Sequence, residues 1–147
     1  YKAFASADGF TDHVLKLCSA DNALEGEAAT WLLKAIMDDG GGLTPAQTRQ
    51  LVGIAGHFIS WQAQLHVCQC IGKLEIEPDD ADRLVSWLLP LLSSERPFLR
   101  AWSLDALSAV AEQHAAYADA FSNALSVAGS DDAASVRARA RKLAAGR

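Results

Sequence analysis

The residue types that do chemistry lie closest together at His66, Cys68 and Cys70, an imidazole and two thiols of the kind that hold zinc. On a helix, positions two apart point about 160° from one another, so only His66 and Cys70, four apart, share a face. A closed zinc site needs two more ligands from elsewhere in the chain. The reading is therefore no metal: Cys68 and Cys70 are small core packers and His66 is a surface residue. Cys18 lacks a nearby histidine in any recognisable nucleophile motif. The carboxylates Glu75, Glu77, Asp79, Asp80 and Asp82 lack the spaced Asp-x-Asp-x-Asp-Gly loop and distal Glu of a calcium site. Negative charge at a helix N-terminus accounts for them instead. Gly40-Gly41-Gly42 follows a helix rather than a strand, which makes it a breaker and the best hinge in the chain, not a phosphate cradle. No nucleophile elbow or paired-glycine fingerprint is present. The expectation is no catalytic residue and no cofactor.

The elements around these residues are helical. Arg96 to Gln113 is the clearest, with Pro97 suited to a first turn because that turn leaves its N–H unpaired in any case. At about 100° per residue, residues 98 to 113 leave one polar arc of Asp105, Ser108 and Glu112. Phe98, Leu99, Trp102, Leu104, Leu107 and Val110 spread around the remainder. A surface helix needs only about a third of its circumference apolar, so this one is expected to be covered on two or three sides. Arg100 falls outside the polar arc and needs an internal partner.

Going along the chain, residues 1 to 9 read as a lead-in, and Thr11 or Asp12 as the N-cap of a short helix carrying Val14, Leu15, Leu17 and Cys18. A second helix runs from about Asn22 to Asp39, with Leu24, Ala28, Trp31, Leu32, Ala35 and Ile36 as its apolar face. Thr44-Pro45 opens a third. Trp31, Trp61, Trp87 and Trp102 sit at apolar phases and read as core.

The pattern then repeats. Residues 77 to 85 lay onto 44 to 52 at an offset of 33, with both prolines and both Leu-Val pairs in register. Ile59, Leu65, Cys68, Ile71 and Gly72 match Phe98, Leu104, Leu107, Val110 and Ala111 at 39, while Val136-Arg137 matches Leu99-Arg100 at 37. Helical hairpins at this spacing are the mark of an α-solenoid, in which each hairpin buries its apolar face only against a neighbour. No sustained alternation supports a strand. The expected fold is all-α, a right-handed α-α superhelix of stacked antiparallel hairpins with about eight helices. It forms a single domain over 1–147: an N-terminal pair at 10–39 and hairpins at 44–74, 78–113 and 116–145.

Ser94-Glu95-Arg96-Pro97-Phe98-Leu99-Arg100, followed by Ser103, Leu107 and Val110, resembles the HEAT-repeat pattern of an acidic turn, a proline and an apolar-Arg pair. Gly129-Ser130-Asp131-Asp132, running on to Val136-Arg137 and Ala140, resembles it again. In the first hairpin Trp61-Gln62 replaces the apolar-Arg pair. The resemblance covers roughly residues 44 to 145 and implies a structural ladder of turn acid and helix arginine: Glu95 with Arg100, and Asp131 or Asp132 with Arg137. It also implies that second helices line a concave face. The stripe there is Gln62, His66, Gln69, Lys73, Asp105, Ser108, Glu112 and Lys142, the candidate partner-binding surface.

Composition narrows the function. At 147 residues and 50% apolar, the chain can build a core. Its net charge of -5 opposes a general affinity for nucleic acid or anionic membrane. Residues 1 to 134 hold 8 basic against 18 acidic side chains, and residues 135 to 147 hold 5 basic and none acidic, a basic terminal helix on an acidic body. Three cysteines in apolar surroundings fit a reducing compartment, so the cytoplasm is the expected location. The longest apolar run, Leu84 to Leu92, is about nine residues and contains Pro90, against the roughly 20 needed to span a bilayer. No signal segment opens the chain. The function expected is a non-enzymatic interaction or scaffold module binding another protein or a peptide, with nucleic acid and membrane disfavoured. The alternative is an enzyme similar to the HEAT-like DNA-repair glycosylases, for which Trp102 with Asp105 is the nearest aromatic-carboxylate pair. A HEAT-like lyase or maturation factor is a third possibility without specific support.

Overall fold

In the computed structural model, which describes residues 9–146, every regular element is helical and eight α-helices form. They are α1 (Phe10–Cys18), α2 (Ala23–Asp38), α3 (Pro45–Ile54), α4 (Trp61–Ile71), α5 (Pro78–Leu91), α6 (Pro97–Gln113), α7 (Ala118–Ala128) and α8 (Ala134–Ala145). Short 3₁₀ turns at Ala55–His57 and Ala115–Tyr117 follow α3 and precede α7. No helix among the described residues is long and apolar enough to cross a membrane. The lead-in expected over residues 1 to 9 lies, apart from Gly9, outside the described residues.

The chain's contacts gather into two compact units, one through Glu75 and one from Ile76. In the first, α1 packs on α2 and on α3, and α2 packs on α4. In the second, α6 packs on α5, α7 and α8. Each unit thus places the second helix of one hairpin against the second helix of the next.

Local chemistry sets the ends of these helices. Gly9, not Thr11 or Asp12, is the N-cap of α1; it sits at φ 78, which costs a residue without Cβ little. Asp12 instead accepts a hydrogen bond from Gln47 Nε2 at 2.8 Å. Asn22 caps α2 through Leu24 N–H, and Thr44 and Gln47 form a reciprocal capping box on α3. The end of α2 is a closed cap rather than an open joint: Gly40 turns left-handed at φ 91, its N–H reaches Met37 O, and Gly41 N–H reaches Ile36 O. A Cβ on Gly41 would stand 2.7 Å from that same carbonyl oxygen.

The cores follow from helical period, with one correction. The buried face of α2 is Gly26, Ala29, Thr30, Leu33, Ile36 and Met37. Of the face expected from sequence only Ile36 is buried, while Leu24 is 74% and Trp31 54% exposed. Small and apolar residues run all round this helix, so periodicity alone could not choose between adjacent faces. Trp61, Trp87 and Trp102 are half-buried. In α6, Leu99, Leu104, Leu107 and Val110 are buried together with Ala101, Ala106, Ser103 and Ser108, as expected of a helix covered on several sides. Ser108 therefore leaves the polar arc and belongs to the core side. Phe98, by contrast, is exposed, and so is Ile59, which occupies the matching position 39 residues earlier.

Candidate functional site

Polar residues on facing second helices meet in a seam within each unit. On α2, Glu27, Thr30, Lys34 and Asp38 recur at three and four and share one face. On the α4 side, Ser60 Oγ donates to Glu27 Oε1 at 2.5 Å, His66 Nδ1 lies 3.0 Å from Thr30 Oγ1, and Lys73 pairs with Asp38, which also takes Lys34. The two lysines hold the Asp38 carboxyl below its ordinary range. Ser60 Oγ lies 2.9 Å from Gln62 Oε1 as well.

His66 is thus half-buried in the seam, not the surface residue expected. Thr30 Oγ1 also lies 3.1 Å from Glu27 O, so its single hydroxyl proton serves one of the two, and when it goes to Glu27 O the imidazole donates from Nδ1. Burial, reinforced by Lys34 and opposed by Glu27, pushes the His66 pKa below 6.5. The unfolded chain then binds this proton more readily than the folded one, so stability falls as pH drops below 6.5 and the loss is complete below the lowered folded value. In urea titrations between pH 7.5 and 5, the wild-type chain is expected to lose stability more steeply than His66→Asn. Parallel slopes would show that the imidazole titrates as if in water.

The second seam joins α6 to α8 and to the turn before it. The Arg100 guanidinium grips Asp131 with two bonds, Nε and Nη2, at 2.9 and 2.8 Å, and donates from Nη1 to Ser94 O at 2.8 Å. The acid beside Arg100 is therefore Asp131 of the following turn, not Glu95. Arg137 Nη1 donates to the main-chain oxygens of Asp131 and Asp132, at 2.6 and 2.9 Å, rather than to a carboxylate. Further along, Arg139 lies 4.2 Å above the Trp102 ring and 3.3 Å from Asp105 Oδ1. Arg139 did not stand out in the sequence, because a stacked cation from another helix leaves no spacing signature. At the opposite end of α6, Gln113 and His114 hold the main chain of Ile76.

The expected stripe is consequently divided. Gln62, His66, Lys73 and Asp105 are drawn into the bonds above and Ser108 is buried, whereas Gln69 is half-buried and Glu112 and Lys142 are exposed. Gln62, His66, Gln69 and Lys73 belong to the first unit, and Asp105, Ser108, Glu112 and Lys142 to the second.

Reactive chemistry is muted. Cys18, Cys68 and Cys70 are free thiols and buried, and burial pushes Cys18 and Cys70 up to about 12. Such thiols are protonated at neutral pH and are poor nucleophiles. Among the described residues no three His, Cys, Asp or Glu side chains gather to hold a metal ion. Asp80 is buried in the first turn of α5 with Oδ2 unpartnered, next to the positive end of the helix dipole.

The second unit also holds a cleft of about 370 Å³ between the C-terminal end of α5 and α7. Leu89, Leu92, Ala124 and Val127 form its walls and Leu104 and Val136 its floor. Leu89 is 44% and Val127 75% exposed. No protein-family model, curated protein or solved structure matches this chain.

Proposed function

We propose that this chain is a non-enzymatic interaction module of HEAT-like stacked hairpins that binds another protein or a peptide. One observation carries the reading: the distribution of side chains is inverted relative to an active site. Six groups able to do chemistry, His66, Asp38, Asp105, Arg100, Asp131 and Arg139, are engaged in bonds between helices or between a helix and a turn. Large apolar groups, Leu24, Trp31 and Ile59 in the first unit and Leu89, Phe98 and Val127 in the second, stay exposed and are available to a partner. The repeat offsets and the Arg100–Asp131 link from one hairpin to the next support a HEAT-like right-handed superhelix. The glycosylase alternative is weakened where it was strongest, since Arg139 covers the Trp102 face on which a base would stack and engages the Asp105 carboxylate.

The test is affinity capture with crosslinking from the source cells, comparing the wild-type chain with Trp31→Ser/Phe98→Ser and with the stripe variant Glu112→Lys/Lys142→Glu. A protein partner recovered in stoichiometric amount, insensitive to moderate salt and lost with one variant, is the expected result. Recovery of nucleic acid alone, or base excision by the purified chain, would overturn the reading.

A further inference from the structure

Arg100 and Arg137 are posed alike and finished differently. Each is the fourth residue of its helix. Each sends Nη1 to the main-chain oxygen six residues earlier, Arg100 to Ser94 O at 2.8 Å and Arg137 to Asp131 O at 2.6 Å. In Arg100 the other edge of the fork, Nε and Nη2, then meets the two carboxylate oxygens of Asp131. The same edge of Arg137 meets no acceptor among the described residues. A guanidinium anchored through one nitrogen and open along its bidentate edge is a preformed carboxylate receptor.

The surface of α8 beside that edge continues the same register. On α6, Ala101 and Leu104 lie between Arg100 and Asp105, the two residues that reach Asp131 and Arg139. At the offset of 37, Ala138, Arg141 and Lys142 fall where Ala101, Leu104 and Asp105 lie, and all three are exposed. Arg141 stands one turn beyond Arg137, and residues 135 to 147 hold no acid. Such a face favours a partner that presents carboxylates one turn apart.

The chain carries that pattern itself. Asp21, just before the N-cap of α2, and Glu25, in its first turn, are exposed, four residues apart and bonded to no described side chain. Beside them Leu24 is 74% and Trp31 54% exposed, with the exposed Ala28 between. Second helices that pack here run parallel, because their bonded partners advance together: Arg100 to Asp131 then Asp105 to Arg139, and Glu27 to Ser60 then Asp38 to Lys73. Laid on α8 in that sense, the α2 of another copy brings Asp21 to Arg137 and Glu25 to Arg141, with Leu24 and Trp31 over the exposed alanines of α8.

We infer that copies of this chain associate head to tail, α2 of one on α8 of the next, with Asp21 completing the Arg137 fork as Asp131 completes that of Arg100. The contact joins unlike surfaces, so each added copy brings a free α8 of its own. This goes beyond the interaction-module reading, since self-association and capture of a different protein can fail separately.

The experiment is analytical ultracentrifugation of the full chain from micromolar to millimolar concentration at physiological salt. The average mass is expected to climb above that of one chain as concentration rises, and association to weaken in high salt. Asp21→Arg, at an exposed side chain with no partner to lose, is expected to lower the association constant at least tenfold with an unchanged circular dichroism spectrum, and so is Arg137→Glu. Both changes in one chain exchange acid and cation across the contact and are expected to restore association. Asp119→Arg, which reverses an exposed acid on α7, is expected to leave it unaltered. The mass of one chain throughout, equal weakening by Asp21→Arg and Asp119→Arg, or a folded double variant no better than the single ones would overturn the inference. A chain that stays monomeric yet captures a cellular protein would sink self-association and leave the module reading standing. A chain that self-associates as described and captures no other protein would uphold the contact and sink the module reading.

Discussion

Leu107→Ala is expected to destabilise the second unit by about 3–5 kcal/mol, at the upper end of the range for buried leucines. Leu107 is fully buried, and α6 is packed on by α5, α7 and α8. With three neighbouring helices braced around the same point, the void left by three missing side-chain carbons has little freedom to collapse, and the cost of such truncations rises with the cavity that remains. The half-buried Leu125 on α7 provides the contrast, since its truncation removes atoms from a site that solvent can enter. Urea unfolding followed by tryptophan fluorescence measures both. In a Trp31→Phe/Trp61→Phe background, the remaining Trp87 and Trp102 report on the second unit alone. A loss below about 1 kcal/mol for Leu107→Ala would mean that α6 is not the centre of that unit.

The second large effect concerns Arg100 and Asp131. Their side chains are 18% and 15% exposed, too covered for the near-zero value of a surface ion pair. Removing one partner leaves the other charge largely desolvated, and Arg100→Ala also frees Ser94 O from a charge-assisted bond. Each single alanine variant is expected to cost about 2–4 kcal/mol, and the double variant less than the sum, with a coupling of about 1–3 kcal/mol. Acid provides an independent readout. The guanidinium holds the Asp131 carboxyl below its ordinary 3.8, so its contribution is fully present above that value and disappears as pH falls through the lowered folded one. Arg100→Ala should flatten this acid limb. Strictly additive costs, or an unchanged limb, would show that the two charges are held in place by their surroundings rather than by each other.

How much of this was legible in the sequence depends on whether the signal is local. Thr44-Pro45 and Pro97 announced helix starts because an N-cap and a first-turn proline act within a few residues. The several-sided burial of α6 and the need of Arg100 for an internal partner could be read from angular position alone. The identity of that partner could not: Glu95 is near in sequence, but Asp131 is near in space, and a choice between two acids 36 residues apart depends on how one hairpin meets the next. His66 failed for the same reason, since its burial depends on Thr30, a residue that itself looked unremarkable. In α2 the error was of another kind. Alanines and leucines surround the helix so evenly that adjacent faces are equivalent by period, and only the positions of α1 and α4 decide between them. The candidate stripe shifted accordingly: angular register placed its members on one side of each helix, but whether that side meets solvent or a neighbouring helix is not encoded in register.

The placement of the three thiols gives the chain an internal clock. Cys18, Cys68 and Cys70 all lie before Glu75, in the first unit, and all are buried. A disulfide reagent in water meets them only during an excursion that uncovers them, so the labelling rate at neutral pH counts how often the first unit breathes. The second unit has no cysteine and contributes nothing to that count. The native chain, without a substitution or an attached dye, therefore reports the opening of one half of itself separately from the other.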